Sequence, residues 1–316
     1  MKIKKEYIIL AAVILFLSAY LLMKQKGKVH YSLLELKKAD KKDITKIILK
    51  KAGLEIKLVK KNDKWIIEPG NFRANNDLVE KMADEISSLA VTDLVSESKN
   101  DVLYDLDKEK KIEVWACKGD EILRKIEIGK PASSYRLTFV KVENDGKIYH
   151  AKGNLANTFD KTLSGLRDKT VLSFKSEEIT GVSITKANKK LSIVKSPAQA
   201  SIDLNKDKTG DKKDLRPEWA TDKGEAVNEA EIEEIVKTLS NLTCDDFIDD
   251  KKKSDIKNPS YSISLTGAKE YSISLFEKTG DKYTAISSES EYPFYISEWN
   301  AKRFMKDLDL LTEKKK

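Results

Sequence analysis

Two stretches decide the fold: ITKIILKKAGLEIKLVK (44–60) and ITGVSITKANKKLSIVK (179–195), which overlie one another at an offset of 135 residues. Ile56, Leu58 and Lys60 of the first fall on Leu191, Ile193 and Lys195 of the second. Internal similarity at a fixed offset marks a structural unit written twice. Each copy continues to a tryptophan, Trp65 and Trp219, at an offset of 154, and the added length is the polar stretch 196–216, read as a surface insertion. An apolar stripe follows: Val79, Met82, Ile86 and Leu89 in the first copy, Ile232, Ile235, Leu239 and Leu242 in the second. Spacings of three and four place each set on one face of an amphipathic helix. Asn76 is the expected N-cap of the first helix, and Asn228 or Glu229 opens the second.

Alternating runs come next in both copies. KIEVWA (111–116), EILRKIEIG (121–129), YRLTFVKV (135–142) and KIYHA (147–151) match YSISLTG (261–267), KEYSISLFE (269–277), DKYTAISS (281–288) and YPFYIS (292–297). Period-two alternation broken by Gly and Asp turns predicts antiparallel strands with one packed and one wet face. A closing helix is expected in each copy, over Leu155–Leu166 and Glu298–Leu308. The expected fold class is therefore α+β, in two tandem related domains with two helices each, behind an N-terminal transmembrane helix. The expected boundaries are 44–176 for the first repeat and 177–312 for the second, with a basic stem at 29–43 and a basic tail at 313–316.

The membrane expectation rests on residues 7–23, YIILAAVILFLSAYLLM, which carry no charge and are flanked by Lys2, Lys4 and Lys5 before and Lys24, Lys26 and Lys28 after. Tyr7, Ile8, Leu10, Val13, Leu15, Leu17, Tyr20 and Met23 are its candidate membrane-facing residues. A helix of that length spans about 26 Å, close to the roughly 30 Å hydrocarbon layer. A cleaved leader would need small residues before its cut, but Leu17 precedes Ala19 and Phe16 precedes Ser18 at the paired position. An uncleaved anchor is the favoured reading, with residues 1–28 as anchor and flanks, the N-terminus in the cytoplasm and the body beyond the cytoplasmic membrane.

Composition narrows the chemistry. The net charge of +7 is concentrated at the start, where residues 1–51 hold 13 lysines against 4 acids. Only six cations are arginines: Arg73, Arg124, Arg136, Arg167, Arg216 and Arg303. Base and phosphate readers favour the arginine fork, so nucleic acid is not an expected partner. Cys117 and Cys244 are too few for a disulfide framework or a four-thiolate zinc site, and are expected as buried thiols. No GxSxG, GxxxxGK[ST] or GxGxxG pattern occurs, and His150 at a strand end has no counterpart in the second copy. The acids around 203–211 and 245–250 do not complete a calcium loop. No catalytic residue, metal or cofactor is expected. The aromatic group Tyr292, Tyr295 and Trp299, near Phe294, is the candidate partner or ligand surface, with core packing as its alternative.

Trp65 to Pro69, Arg73-Ala74 and Asn76-Asp77 ahead of an apolar helix, then alternating strands, all duplicated behind an N-terminal apolar segment, resemble the bacterial domain-of-unknown-function family numbered 4340. The second copy departs from that pattern, since Trp219 is followed by Ala-Thr-Asp-Lys without a proline. The resemblance implies a single-span envelope protein, often found beside ABC-transporter components similar to those of gliding motility. It implies no catalytic residues. The expected role is a non-enzymatic extracytoplasmic accessory or scaffold of a membrane complex, with the bilayer and transporter subunits as partners. Its alternatives are an envelope glycan- or peptide-binding module and, less favoured, a hydrolase.

Overall fold

The computed structural model describes residues 10, 12–20, 34–98, 100–143, 145–187, 189–195 and 219–312. The chain divides into two compact units, Met1–Thr162 and Leu163–Lys316. The first contains β1 (Lys46–Lys51), β2 (Leu54–Lys61), β3 (Lys64–Glu68), β4 (Phe72–Arg73), α1 (Asn76–Ser87), β5 (Val91–Ser96), β6 (Ile112–Lys118), β7 (Glu121–Pro131), β8 (Leu137–Val142), β9 (Ile148–Lys152) and α2 (Leu155–Phe159). Its nine strands form one antiparallel sheet in the order β4-β3-β2-β1-β6-β7-β8-β9-β5. Ala52 and Gly53, both at positive φ (47° and 82°), join β1 to β2. That twist suits a tight two-residue hairpin turn.

The second unit contains α3 (Leu163–Leu166), β10 (Thr170–Ser173), β11 (Gly181–Lys186), β12 (Lys189–Lys195), β13 (Trp219–Thr221), α4 (Glu229–Leu239), β14 (Asn241–Thr243) and β15 (Asp246–Phe247). It continues through β16 (Tyr261–Thr266), β17 (Glu270–Thr279), β18 (Lys282–Ser287), β19 (Phe294–Ser297), α5 (Glu298–Lys302) and α6 (Leu308–Leu311). Its main sheet runs β13-β12-β11-β16-β17-β18-β19-β15, while β10 and β14 pair separately. Apart from β4, which has no counterpart among the described residues, this order repeats that of the first sheet, and the register repeats too. Ile47 faces Leu58 and Leu49 faces Ile56 in one copy; Val182 faces Ile193 and Ile184 faces Leu191 in the other.

The inner sheet face of each unit packs on its long helix. Val79, Met82, Ala83 and Ile86 of α1 are buried, as are Ile232, Ile235, Val236 and Leu239 of α4. The N-caps are Asn75 and Asn228, whose side chains accept from Leu78 N and Glu231 N. Asn76, expected as the cap, is instead the first helical residue, and its Oδ1 accepts the backbone N–H of Trp65 at 2.8 Å. Glu229, its counterpart in α4, does the same for Trp219 at 2.9 Å.

Two parts of the expected fold class are corrected. The fold is mostly antiparallel sheet with few helices, because both closing helices break. Asp160 leaves the helical backbone (φ −79°, ψ 77°) after Phe159. In the second unit α5 ends at Lys302, and Asp307 is extended before α6. Pieces of four or five residues gain nothing from propensity and persist only through packing, here by burying Leu155, Phe159, Ala301 and Leu311. The second correction concerns the membrane span: among the described residues no helix is long and apolar enough to cross a membrane. The helical stretch described there is 12–20. It holds Val13, Leu15, Leu17 and Tyr20, all exposed as is Leu10, whereas Tyr7, Ile8 and Met23 lie outside the described residues.

Helix and sheet of the first unit are tied by a polar knot. The buried Trp65 indole donates to Glu80 Oε1 at 2.7 Å, and Lys60 and Lys41 reach the same carboxylate at 3.0 and 3.1 Å. Burial pushes the Glu80 carboxyl up, but the hydrogen bonds from Trp65, Lys60 and Lys41 outweigh it and hold it at about 2. The folded value lies below the unfolded one, so this stabilisation is complete above about pH 4.5 and is lost as pH falls toward 2. Glu80→Gln should cost about 1–2 kcal/mol at pH 7, after discounting for partial exposure, and flatten the stability curve between about pH 4.5 and 2. Urea melts at pH 7 and pH 3 check this; an equal loss at both would remove the carboxylate from the account.

Candidate functional site

Each sheet has a second face, turned away from its helix, and the two copies decorate that face differently. In the first unit Ile48, Trp115 and Lys125 form one cross-strand row over β1, β6 and β7. Lys50 Nζ lies 4.3 Å from the Trp115 ring centre and Lys125 Nζ 5.4 Å. Such lysine–indole contacts contribute roughly 0.5–1 kcal/mol at wet sites. Charges beside them are compensated within the face: Lys50 with Glu55 at 2.7 Å, and Lys111 with Glu113 and Glu127 at 2.7 and 3.1 Å. Farther along, Phe139 stacks between Tyr104 (4.8 Å) and His150 (4.9 Å), and His150 Nδ1 stands 3.8 Å from Asp93. His150 is thus a half-buried member of an aromatic stack.

In the second unit the same positions carry hydroxyls. Ser192, Ser183, Ser264 and Ser272 make one row across β12, β11, β16 and β17; Lys190, Thr185, Ser262 and Ser274 make the next. Strand spacing of about 4.8 Å and a two-residue rise of about 6.7 Å turn these rows into a regular grid of hydroxyl donors and acceptors, with a single charge, Lys190, at its end. Ser262 Oγ and Ser274 Oγ are 2.9 Å apart. This grid was not singled out from sequence, although its signal stands in the text as alternating serines in YSISLT and YSISLF, where Ile and Leu point inward.

The three residues of the expected aromatic surface sit on different segments: Tyr292 before β19, Tyr295 in it and Trp299 in α5. Trp299, in the first turn of α5, is 72% exposed, with the Arg303 guanidinium 5.8 Å from its ring. Tyr295 lies on β19 opposite Asp246 of β15 and Thr284 of β18, one residue from buried Phe294 and so on the other face. Tyr292 packs edge-on to Phe247 at 6.3 Å, and the Arg167 guanidinium sits 4.0 Å from Phe247 and 5.2 Å from Tyr292. β19 is paired on both sides, by β18 and by β15, and the edge of the sheet is β15.

Cys117 and Cys244 are buried free thiols, and burial pushes Cys244 up to about 12, far from a thiolate nucleophile. Asp246 accepts from Ser164 Oγ at 2.7 Å and Asp249 accepts twice from Arg167 Nη1 at 2.7 and 2.9 Å. These acids are therefore engaged in local structure. Residues 203–214 and His30 lie outside the described residues.

A family model described as a domain of unknown function, DUF4340, matches residues 65–259, from Trp65 in the first unit to Pro259 in the second. No curated protein and no solved structure matches the chain.

Proposed function

The chain belongs to the DUF4340 family, and on that footing we propose that it is a non-enzymatic accessory or scaffold protein of a membrane complex, an ABC-type transporter system, working on the extracytoplasmic side. The observation that carries the reading is the duplication with divergence. One sheet plan is kept twice, and the outer face becomes a lysine–tryptophan face in one copy and a hydroxyl grid in the other. Two large, chemically different faces on repeated frames suit the docking of two different surfaces. The uncharged run 7–23 supports attachment of this body to the membrane.

Affinity purification of the full chain in mild detergent tests the reading. Membrane proteins should co-purify reproducibly, and Ser264→Arg, a charge placed in the middle of the grid, should lose at least one of them while the melting curve stays put. Recovery of no membrane protein, or an unchanged set with Ser264→Arg and with Trp115→Ala, refutes it.

The hydroxyl grid and exposed Trp299 favour a second reading, in which the body binds envelope glycan. Pull-down on isolated cell wall separates the two: Trp299→Ala and Ser264→Arg should both be retained less than the unaltered chain. Equal retention argues against glycan binding.

A further inference from the structure

The polar knot around Trp65 has a counterpart in the second unit that is built but not tied. The repeat offsets place Ser176, Lys195, Trp219, Glu233 and Lys237 at the positions of Lys41, Lys60, Trp65, Glu80 and Asp84. With Glu177 and Val236 these five residues line an open cleft of about 370 Å³, a size within the range of small-molecule sites. Lys195 Nζ lies 5.4 Å from the Trp219 ring centre, as Lys60 Nζ lies 5.6 Å from that of Trp65. The backbone setting is preserved as well, with Glu229 holding Trp219 N–H as Asn76 holds Trp65 N–H.

The side-chain pairing is not preserved. In the first unit Glu80 takes the indole N–H and both lysines, and Lys41 also pairs with Asp84 at 2.9 Å. In the second unit no side-chain hydrogen bond or ion pair engages Lys195, Glu233 or Lys237 among the described residues, apart from the seat of Lys195 over Trp219. Two exchanges explain the difference. Ser176 in place of Lys41 removes the cation that draws the glutamate inward, and Glu233 is exposed. Lys237 in place of Asp84 turns the rim of the cleft from anionic to cationic.

We propose that the cleft at Trp219 binds a ligand through a carboxylate, which takes from the Trp219 indole N–H and Lys195 the contacts that Glu80 supplies internally in the first unit. Lys237 adds a second cation at the mouth. Glu177 and Glu233 stand in the same cleft, so the ligand is a single carboxylate on a neutral or zwitterionic body, not a polyanion. Peptide C-termini and uronic acids both present that chemistry, and the test separates them.

The test follows the indole N–H resonances of the full chain while an N-acetyl dipeptide with a free C-terminus, its C-terminal amide twin, or a hexuronic acid is added. The Trp219 signal should shift saturably with at least one of the two acids, not with the amide, and the Trp65 signal should stay still. Response to the dipeptide alone assigns a peptide terminus; response to the hexuronic acid alone assigns an acidic sugar. Lys195→Gln should weaken the response at least tenfold. Ser176→Lys combined with Lys237→Asp, which rebuilds the knot of the first unit, should abolish it while the melting curve holds. No saturable shift with either acid, an equal shift with the amide, or an unweakened response in both variants would overturn the assignment.

Discussion

Arg124→Met should destabilise the first unit by about 3 kcal/mol, lowering its melting midpoint by roughly 6–12 °C. Arg124 sits on the inner face of β7, opposite Ala116 of β6, and is only 2% exposed. Its Nη1 donates to Ile86 O at the last turn of α1 at 3.2 Å, and its Nη2 donates to Lys37 O in the segment before β1. Glu143 supplies the nearest carboxylate, 3.6 Å from Nε. Burial pushes the guanidinium below its ordinary value, with Glu143 opposing, yet arginine remains charged at neutral pH. One side chain therefore joins the sheet, the end of α1 and an entering strap. Methionine fills much of the space but removes the charged donor from both carbonyls. Ile86 O keeps the Leu89 N–H at 3.5 Å and Lys37 is exposed, so the cost is that of hydrogen bonds lost from a charged group, about 1.5–3 kcal/mol each. Calorimetry of the full chain checks the value; an unchanged first-unit transition would mean that water replaces the guanidinium at no cost.

The place of Arg124 also marks where the repeat stops being readable. The hairpins, the helix stripe and the strand runs were legible because they depend on local periodicity: Val79, Met82 and Ile86 declare a helix, and KIEVWA declares a strand, without reference to any neighbour. Arg124 falls on Tyr271 in the second unit, which is buried and stacks on Phe174 at 4.8 Å. Phe174 in turn falls on the buried Ala39 at the offset of 135. A large cation beside a small residue in one copy is thus exchanged for two aromatic rings in the other. No window of sequence reveals such an exchange, because the partners are some 90 residues apart. The closing helices misread for a related reason. Leu155 and Phe159 keep helical spacing, but Asp160-Lys161-Thr162 ends the run and packing decides the rest. The candidate surface was half legible: Trp299 is exposed as a platform requires, whereas Tyr292 is committed to Phe247 and Arg167.

Arg167→Leu should cost the second unit about 3 kcal/mol, and Asp249→Asn under about 1 kcal/mol, although the two residues form one ion pair. The pair is lopsided. Arg167 is 5% exposed, whereas the Asp249 side chain is half in water. Asparagine at 249 keeps a solvated acceptor, so the guanidinium retains a hydrogen bond and its aromatic seat. Leucine at 167 removes the charge that lies 4.0 Å from Phe247 and 5.2 Å from Tyr292, a desolvated cation–π arrangement worth about 2 kcal/mol or more. It also removes the tie from the end of α3 to Asp249, leaving Ser164 Oγ on Asp246 and Lys169 on Asp245 O and Cys244 N to hold that segment. Urea unfolding of the single variants gives both numbers, and equal losses would place the energy in the ion pair instead of the rings. The outcome bears on function as well. Tyr292→Ala should lower stability through Arg167, while Trp299→Ala, at an exposed site, should leave the melting curve unchanged. A binding defect in the tyrosine variant is therefore evidence about fold, and one in the tryptophan variant is evidence about a ligand.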